Sequence, residues 1–206
     1  MDPDQKELEF LRDFIVQSDA IENIHDDKAL LLQQLEDGEV RGHVGALLGL
    51  HELAHTQTEL THAMVKQTQS LIVAEQALKG HPQIAPKYLG EWRDVYVSIS
   101  GRNAMPPQLI PAAMVTHIYR VVRWQKMHHT LTREENIRTI ARFHFEYEHI
   151  HPFIDGNGRS GRALVYYLYK FVGLPPFIFT SGDRHHTYYR CFAEPKKMEE
   201  YFLDRT

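Results

Sequence analysis

Apolar residues recur along this chain at intervals of three and four, the spacing that lines one face of a helix. Leu8, Leu11, Phe14 and Ile15 set the first such stripe. A helix-compatible span follows from about Val44 to Leu78, with a break expected near His55–Leu60. Ile110, Met114, His117, Ile118 and Val121 predict a helix opening at or near Pro111, which suits a first turn because it has no N–H to lose. Thr132 ahead of Glu134 and Glu135 reads as an N-cap with an acidic first turn, leading through Ile137, Ile140, Ala141 and His144. Leu164, Tyr167, Leu168 and Phe171 mark a further helix, closed by Gly173 and Pro175. These stripes are core packing, not cofactor boxes. Only between Arg93 and Pro107 does the period change. There Val95, Val97 and Ile99 alternate with Tyr96, Ser98 and Ser100, and Gly101-Arg102-Asn103 offers a turn, so a short β-hairpin is expected. The fold class is mainly α.

Composition narrows the picture. The chain has 206 residues, 43% hydrophobic and 24% charged, enough for one core with an appendage rather than two full domains. A net charge of −4 argues against nucleic acid as the partner. The single cysteine, Cys191, cannot form an internal disulfide and fits a reducing compartment. The acidic start Met1-Asp2-Pro3-Asp4 is no signal sequence and no run is long enough to span a membrane, so cytoplasmic residence is the expectation, with export as an effector compatible. The oligomeric state is left open, a homo-oligomer included.

The chemistry is concentrated in His151-Pro152-Phe153-Ile154-Asp155-Gly156-Asn157-Gly158-Arg159-Ser160-Gly161-Arg162. Gly156 and Gly158 permit positive φ and close approach of backbone N–H groups to a ligand. A helix beginning near Gly158 would point its unpaired amides at the same place, favouring an anion. Arg159 and Arg162 are three apart and can project on one face as planar guanidiniums for successive phosphates. Asp155 is a hard oxygen ligand suited to Mg²⁺, which prefers one or two carboxylates plus phosphate oxygens. His151 precedes a proline, which biases it out of the α region, and its ordinary pKa of roughly 6.5 suits proton abstraction from a hydroxyl.

This stretch resembles the core motif of the Fic family, H-x-F-x-[D/E]-G-N-G-R-x-x-R, at every specified position. The resemblance implies a Fic-type helical bundle that transfers AMP from ATP to a Ser, Thr or Tyr hydroxyl of a target protein, releasing pyrophosphate. It implies His151 as general base and Asp155 as the Mg²⁺ ligand. Gly156, Asn157, Gly158, Arg159, Ser160, Gly161 and Arg162 would surround the nucleotide. Kinase relatives replace the GNGR portion, which this chain keeps whole, so AMP transfer is preferred over phosphorylation. Ser18-Asp19-Ala20-Ile21-Glu22-Asn23 resembles the family's inhibitory motif [S/T]-x-x-x-E-[G/N], and implies that Glu22 engages Arg162 and obstructs productive ATP binding. The same carboxylate would support AMP removal.

The hairpin holds the place of the family's flap, which aligns the target segment by strand addition; Gly101, Arg102, Asn103 and Ala104 would form its tip. Tyr188 of the pair Tyr188-Tyr189 resembles a nucleotide contact, although Lys196 stands where relatives often carry an asparagine. The resemblance covers Thr58 to the C-terminus plus the N-terminal motif. It divides the chain into a helical segment, 1–57, and a catalytic core, 58–206. Other readings are UTP or CDP-choline as donor, a non-catalytic target-binding module, and a metal-dependent hydrolase using His144, Glu148, His149 and His151. The last lacks the His-Glu-x-x-His spacing of a helical zinc pair.

Overall fold

A computed structural model describes residues 3–78, 84–99 and 102–206. Four helices come first: α1 (Gln5–Ile21), α2 (Lys28–Glu36), α3 (Gly42–His55) and α4 (His62–Leu78). A two-stranded antiparallel hairpin, β1 (Ser98–Ile99) and β2 (Arg102–Asn103), precedes α5 (Ile110–Met127), α6 (Arg133–Ile150) and α7 (Asn157–Phe171). A π turn at Arg184–Tyr188 runs into the short α8 (Tyr189–Cys191), and α9 (Pro195–Leu203) closes the chain. The mainly α expectation holds.

Local chemistry sets the helix ends. Thr132 and Glu135 form a reciprocal capping box at the start of α6: the Glu135 N–H donates to Thr132 Oγ1 at 3.2 Å, and the Thr132 N–H to Glu135 Oε2 at 2.8 Å. Asp4 and Asp27 cap α1 and α2 by accepting first-turn amides. Between α3 and α4, Gln57 adopts φ 52° and donates its side-chain amide to Phe171 O at 2.8 Å, tying that turn to the end of α7. Gly173, at φ 71°, ends α7 as its sequence position suggests.

α7 lies at the centre. Every residue from Arg159 to Tyr169 is buried, with α1, α3, α4 and α6 packed around it. Leu11, Phe14 and Ile15 of α1 and Leu47 and Leu50 of α3 join the same buried cluster as Leu164, Tyr167 and Leu168. The core therefore runs without interruption across residue 57.

The hairpin is shorter than the alternation beginning at Val95 suggests. Ser98 pairs with Asn103, Ile99 with Arg102, and the Ala104 N–H donates to Val97 O at 3.0 Å. Among the described residues pairing goes no further, because the carbonyls of Val95 and Met105 are taken by the guanidinium of Arg93. Gly101, expected at the flap tip, lies outside the described residues.

Candidate active site

The loop between α6 and α7 is fixed from several directions. α6 ends at His151, a C-cap residue in the left-handed region (φ 50°, ψ 63°) whose N–H donates to Tyr147 O at 2.9 Å. For a residue other than glycine that conformation costs roughly 1–2 kcal/mol, and such strain gathers at functional sites. Asn157 then braces the loop on itself, accepting from the Phe153 N–H and donating to Phe153 O, both at 2.9 Å. Gly156 sits at φ 77°, and a Cβ there would lie 2.5 Å from Val73 Cγ1, so both conformation and space demand glycine. Gln69 donates to Asp155 O at 3.1 Å.

α7 starts at this loop with no side chain capping its first turn, so the opening amides and the positive end of the helix dipole face the cleft. A carboxylate occupies that position. A Cβ on Gly158 would lie 2.6 Å from Glu22 Oε1, and Arg162 Nη2 donates to the same oxygen at 2.9 Å. Arg162 is 1% exposed; it also donates through Nε to Ser18 Oγ and through Nη2 to Ser18 O, each at 2.9 Å. Ser18 thus stands in the last turn of α1, and Glu22 is the C-cap of that helix. Next to them, Asp19 and His43 form a buried 3.1 Å contact. Burial opposes ionisation of Asp19, but His43, Arg159 and Arg162 outweigh it and hold the carboxyl below its ordinary range.

His151 lines a cleft of about 720 Å³ that also receives Glu22, Gly158 and Arg162 on one side and Asn103, Ala104 and Met105 of the flap on the other. That volume suits a nucleotide-sized ligand. Burial, reinforced by the charge of Arg93, pushes the His151 imidazole down to about 4, so it is neutral at physiological pH. Asp155, half-exposed at the loop mouth, accepts from the Gly156 N–H and from Arg159 Nη2 at 3.4 Å. Among the described residues no cluster of three or more His, Cys, Asp or Glu could hold a metal ion unaided. Asp155 as one hard ligand, completed by phosphate oxygens, is the arrangement that fits Mg²⁺.

Several residues expected around the nucleotide face elsewhere. Ser160 is fully buried; its hydroxyl donates to Gly156 O at 2.8 Å and meets Tyr147 Oη at 2.7 Å. Gly161 lets α6 approach, since a Cβ there would lie 2.3 Å from Glu148 Oε1. Both pack α7 against α6. The Asn157 side chain is spent on the loop, leaving its backbone for the cleft. Arg159 is 4% exposed and turned toward Asp155, so the two guanidiniums do not form an open pair. Tyr188 borders the cleft, yet it is 1% exposed, and its hydroxyl meets His144 Nε2 at 2.8 Å. Tyr189 beside it is the more accessible ring. With His144 so engaged and buried, the helical metal pair has lost its first ligand.

Three more residues border or brace the site; the sequence offers Glu148 only as a metal ligand and passes over Arg184 and Arg93. Glu148 reaches the cleft, where burial first, and Glu22 in addition, push it up to about 8 against the pull of Arg162. Arg184 also borders the cleft and donates to Asn23 Oδ1 at 2.8 Å. Arg93 contacts the motif loop itself. Neither arginine stands in a recognisable spacing, and Arg93 bonds to backbone carbonyls, which leave no trace in side-chain pattern.

The fold is a helical bundle centred on a buried helix whose N-terminus meets a left-handed histidine and a carboxylate-bound arginine. The Fic/DOC family model matches residues 59–169, more than half of the chain. The chain belongs to the Fic/DOC family. It is similar to the protein adenylyltransferase Fic of Drosophila ananassae, 28% identical over 154 residues, or 74% of this chain and 30% of that protein. The Drosophila yakuba protein of the same description is 35% identical over 100 residues, 48% of this chain and 19% of that one. The chain thus spans less than a third of these curated relatives. A Fic domain containing signaling protein from Bacteroides thetaiotaomicron VPI-5482 shares the fold with a TM-score of 0.71 at 22% identity, covering 96% of this chain and 79% of that one. Fic-1 (aa134 - 508) from C. elegans gives 0.65 at 20% identity, covering 96% and 60%. No helix among the described residues is long and apolar enough to cross a membrane.

Proposed function

We propose that this chain is a protein adenylyltransferase held in check by its own Glu22. The observation carrying the reading is the meeting of three groups in one cleft: a neutral His151, the uncapped start of α7, and Arg162 already bonded to a carboxylate. In the reaction the hydroxyl oxygen of a target Ser, Thr or Tyr bonds to the α-phosphorus of ATP. The bond from that phosphorus to the α–β bridging oxygen breaks, and pyrophosphate leaves with its electron pair. The hydroxyl proton passes to the His151 imidazole. The opening amides of α7 and the Gly156–Gly158 backbone receive phosphate charge, and Arg162, once released, receives the distal phosphate. Mg²⁺ held by Asp155 would neutralise charge on the α- and β-phosphates. Asn103 and Ala104 of the flap would pair with the target backbone. Of the tyrosines, Tyr189 is better exposed to meet the base, with Tyr188 supporting it from behind.

Inhibition follows from mutual exclusion. Glu22 Oε1 stands over Gly158 and on Arg162, where an anionic phosphate would have to go. The names of the Drosophila relatives support adenylyl transfer over the UTP and CDP-choline alternatives. The test is transfer of radiolabel from ATP to lysate proteins by the Glu22→Gly variant. Label from the α-phosphate, lost in a second variant that adds His151→Ala, is the expected result. Label from the γ-phosphate, or label only from UTP or CDP-choline, would overturn it.

A further inference from the structure

Arg93 is a buried cation that enters the reading above only through its charge on His151. It is 1% exposed, and burial pulls its pKa down with no carboxylate to oppose it. Its guanidinium donates to three main-chain carbonyls from three parts of the chain: Nε to His151 O at 2.8 Å, Nη1 to Val95 O at 2.8 Å and Nη2 to Met105 O at 2.6 Å. Its own N–H donates to Pro152 O at 2.9 Å. Val95 and Met105 are the two feet of the flap, and His151 carries the imidazole. A buried charge without an opposite charge is costly, and a residue serving only to fill space would be apolar. The planar fork of arginine reaches three acceptors in fixed directions, which the point charge of lysine cannot do.

We propose that Arg93 is a positioning residue that clamps both feet of the flap to the backbone of His151, fixing the distance between the paired target strand and the proton acceptor. Neighbouring contacts make the clamp stiff. Trp92 packs on Phe153 with ring centroids 4.8 Å apart. Gln69 accepts from the Gly90 N–H at 2.8 Å while donating to Asp155 O. The segment 90–93 is therefore bonded to the motif loop before the flap begins. The bonds of Arg93 itself go to none of Asp155, Gly158, Arg162 or Glu22, so the clamp acts on the acceptor side of the reaction.

This inference rests on the adenylyl-transfer reading, and the experiment separates the two. Arg93→Gln and Arg93→Lys are each placed in the Glu22→Gly background. ATP affinity is measured by calorimetry, and protein labelling with ATP radiolabelled at the α-phosphate. Arg93→Gln is expected to lose about 100-fold in labelling, the penalty of a misaligned acceptor, while ATP affinity stays within about threefold. Arg93→Lys, keeping the charge but not the fork, should recover only part of the labelling. Unchanged labelling, equal losses of labelling and ATP affinity, or a circular dichroism spectrum showing both variants unfolded would each overturn the clamp. Absence of label from Glu22→Gly alone would bring down the transfer reading, and the clamp with it.

Discussion

The motif loop and the last turn of α1 meet at one guanidinium, yet they are built in opposite ways. The loop is over-determined: Asn157 bonds it to itself, Gln69 and Arg93 hold its carbonyls, and Val73 leaves no room beside Gly156. The end of α1 buries Ile21 in the core, and around it the turn is held by polar contacts. Arg162 holds Ser18 and Glu22, Asp19 meets His43, and Arg184 holds Asn23, which is itself in a left-handed conformation. Glu22 remains 31% exposed there, against 1% for Arg162. Polar contacts exchange with water or a competing anion at small net cost, whereas a packed loop does not. In the proposed function this contrast separates a fixed receptor, the loop, from a removable occupant, Glu22.

The strongest way to break that contrast is to remove the proton acceptor. In the Glu22→Gly background His151→Ala should cut labelling by about 10²–10⁴-fold while barely changing the melting temperature. The His151 side chain is half-buried and its Nδ1 has no hydrogen-bond partner, so little packing depends on it. Labelling that survives would leave the receptor without its chemistry.

Acid should act next, and on the whole fold. Burial holds His51, His144 and His151 down to about 4, about 3 and about 4. The unfolded chain takes up those protons near the ordinary value of roughly 6.5, before the folded one does. Stability is therefore complete above that pH and is lost as pH falls toward 4, by a few kcal/mol in total. Thermal melts from pH 8 to pH 4.5 measure it. A melting temperature independent of pH would show these rings to be solvated.

Gly156→Ala probes the receptor directly. Positive φ and the crowding by Val73 should together cost roughly 1–3 kcal/mol, read from denaturant unfolding, with ATP affinity falling in parallel. The smallest effect sharpens the other side of the comparison. Asp19→Ala removes a support of α1 and a negative charge near Arg162, and should raise labelling roughly two- to fivefold, an increase absent when Glu22 is already glycine. A fall in activity would mean Asp19 serves the fold and not the occupant.

Much of this was legible in the sequence, for stateable reasons. The capping box of α6, the break at Gln57 and the end of α7 at Gly173 are local rules, decided within a few residues of themselves. The hairpin was visible from alternation, but its length was not, because a distant guanidinium claims the carbonyls that would have extended it. Spacing placed Arg159 and Arg162 on one helical turn, yet could not show that α1 covers that face. Ser160 and Gly161 look like the rest of the motif in one dimension; only the crossing of α6 over α7 assigns them to packing. Arg93 and Gln69 act through main-chain atoms, and backbone partners carry no side-chain signature.

The central claim is that Glu22 and a triphosphate compete for Arg162. The most direct measurement is the initial rate of transfer from ATP labelled at the α-phosphate, compared between the parent chain and Glu22→Gly at saturating ATP. Loss of a charged contact predicts a rate increase of roughly 10- to 100-fold in the variant. Equal rates, with both proteins folded and both binding ATP, would contradict the account.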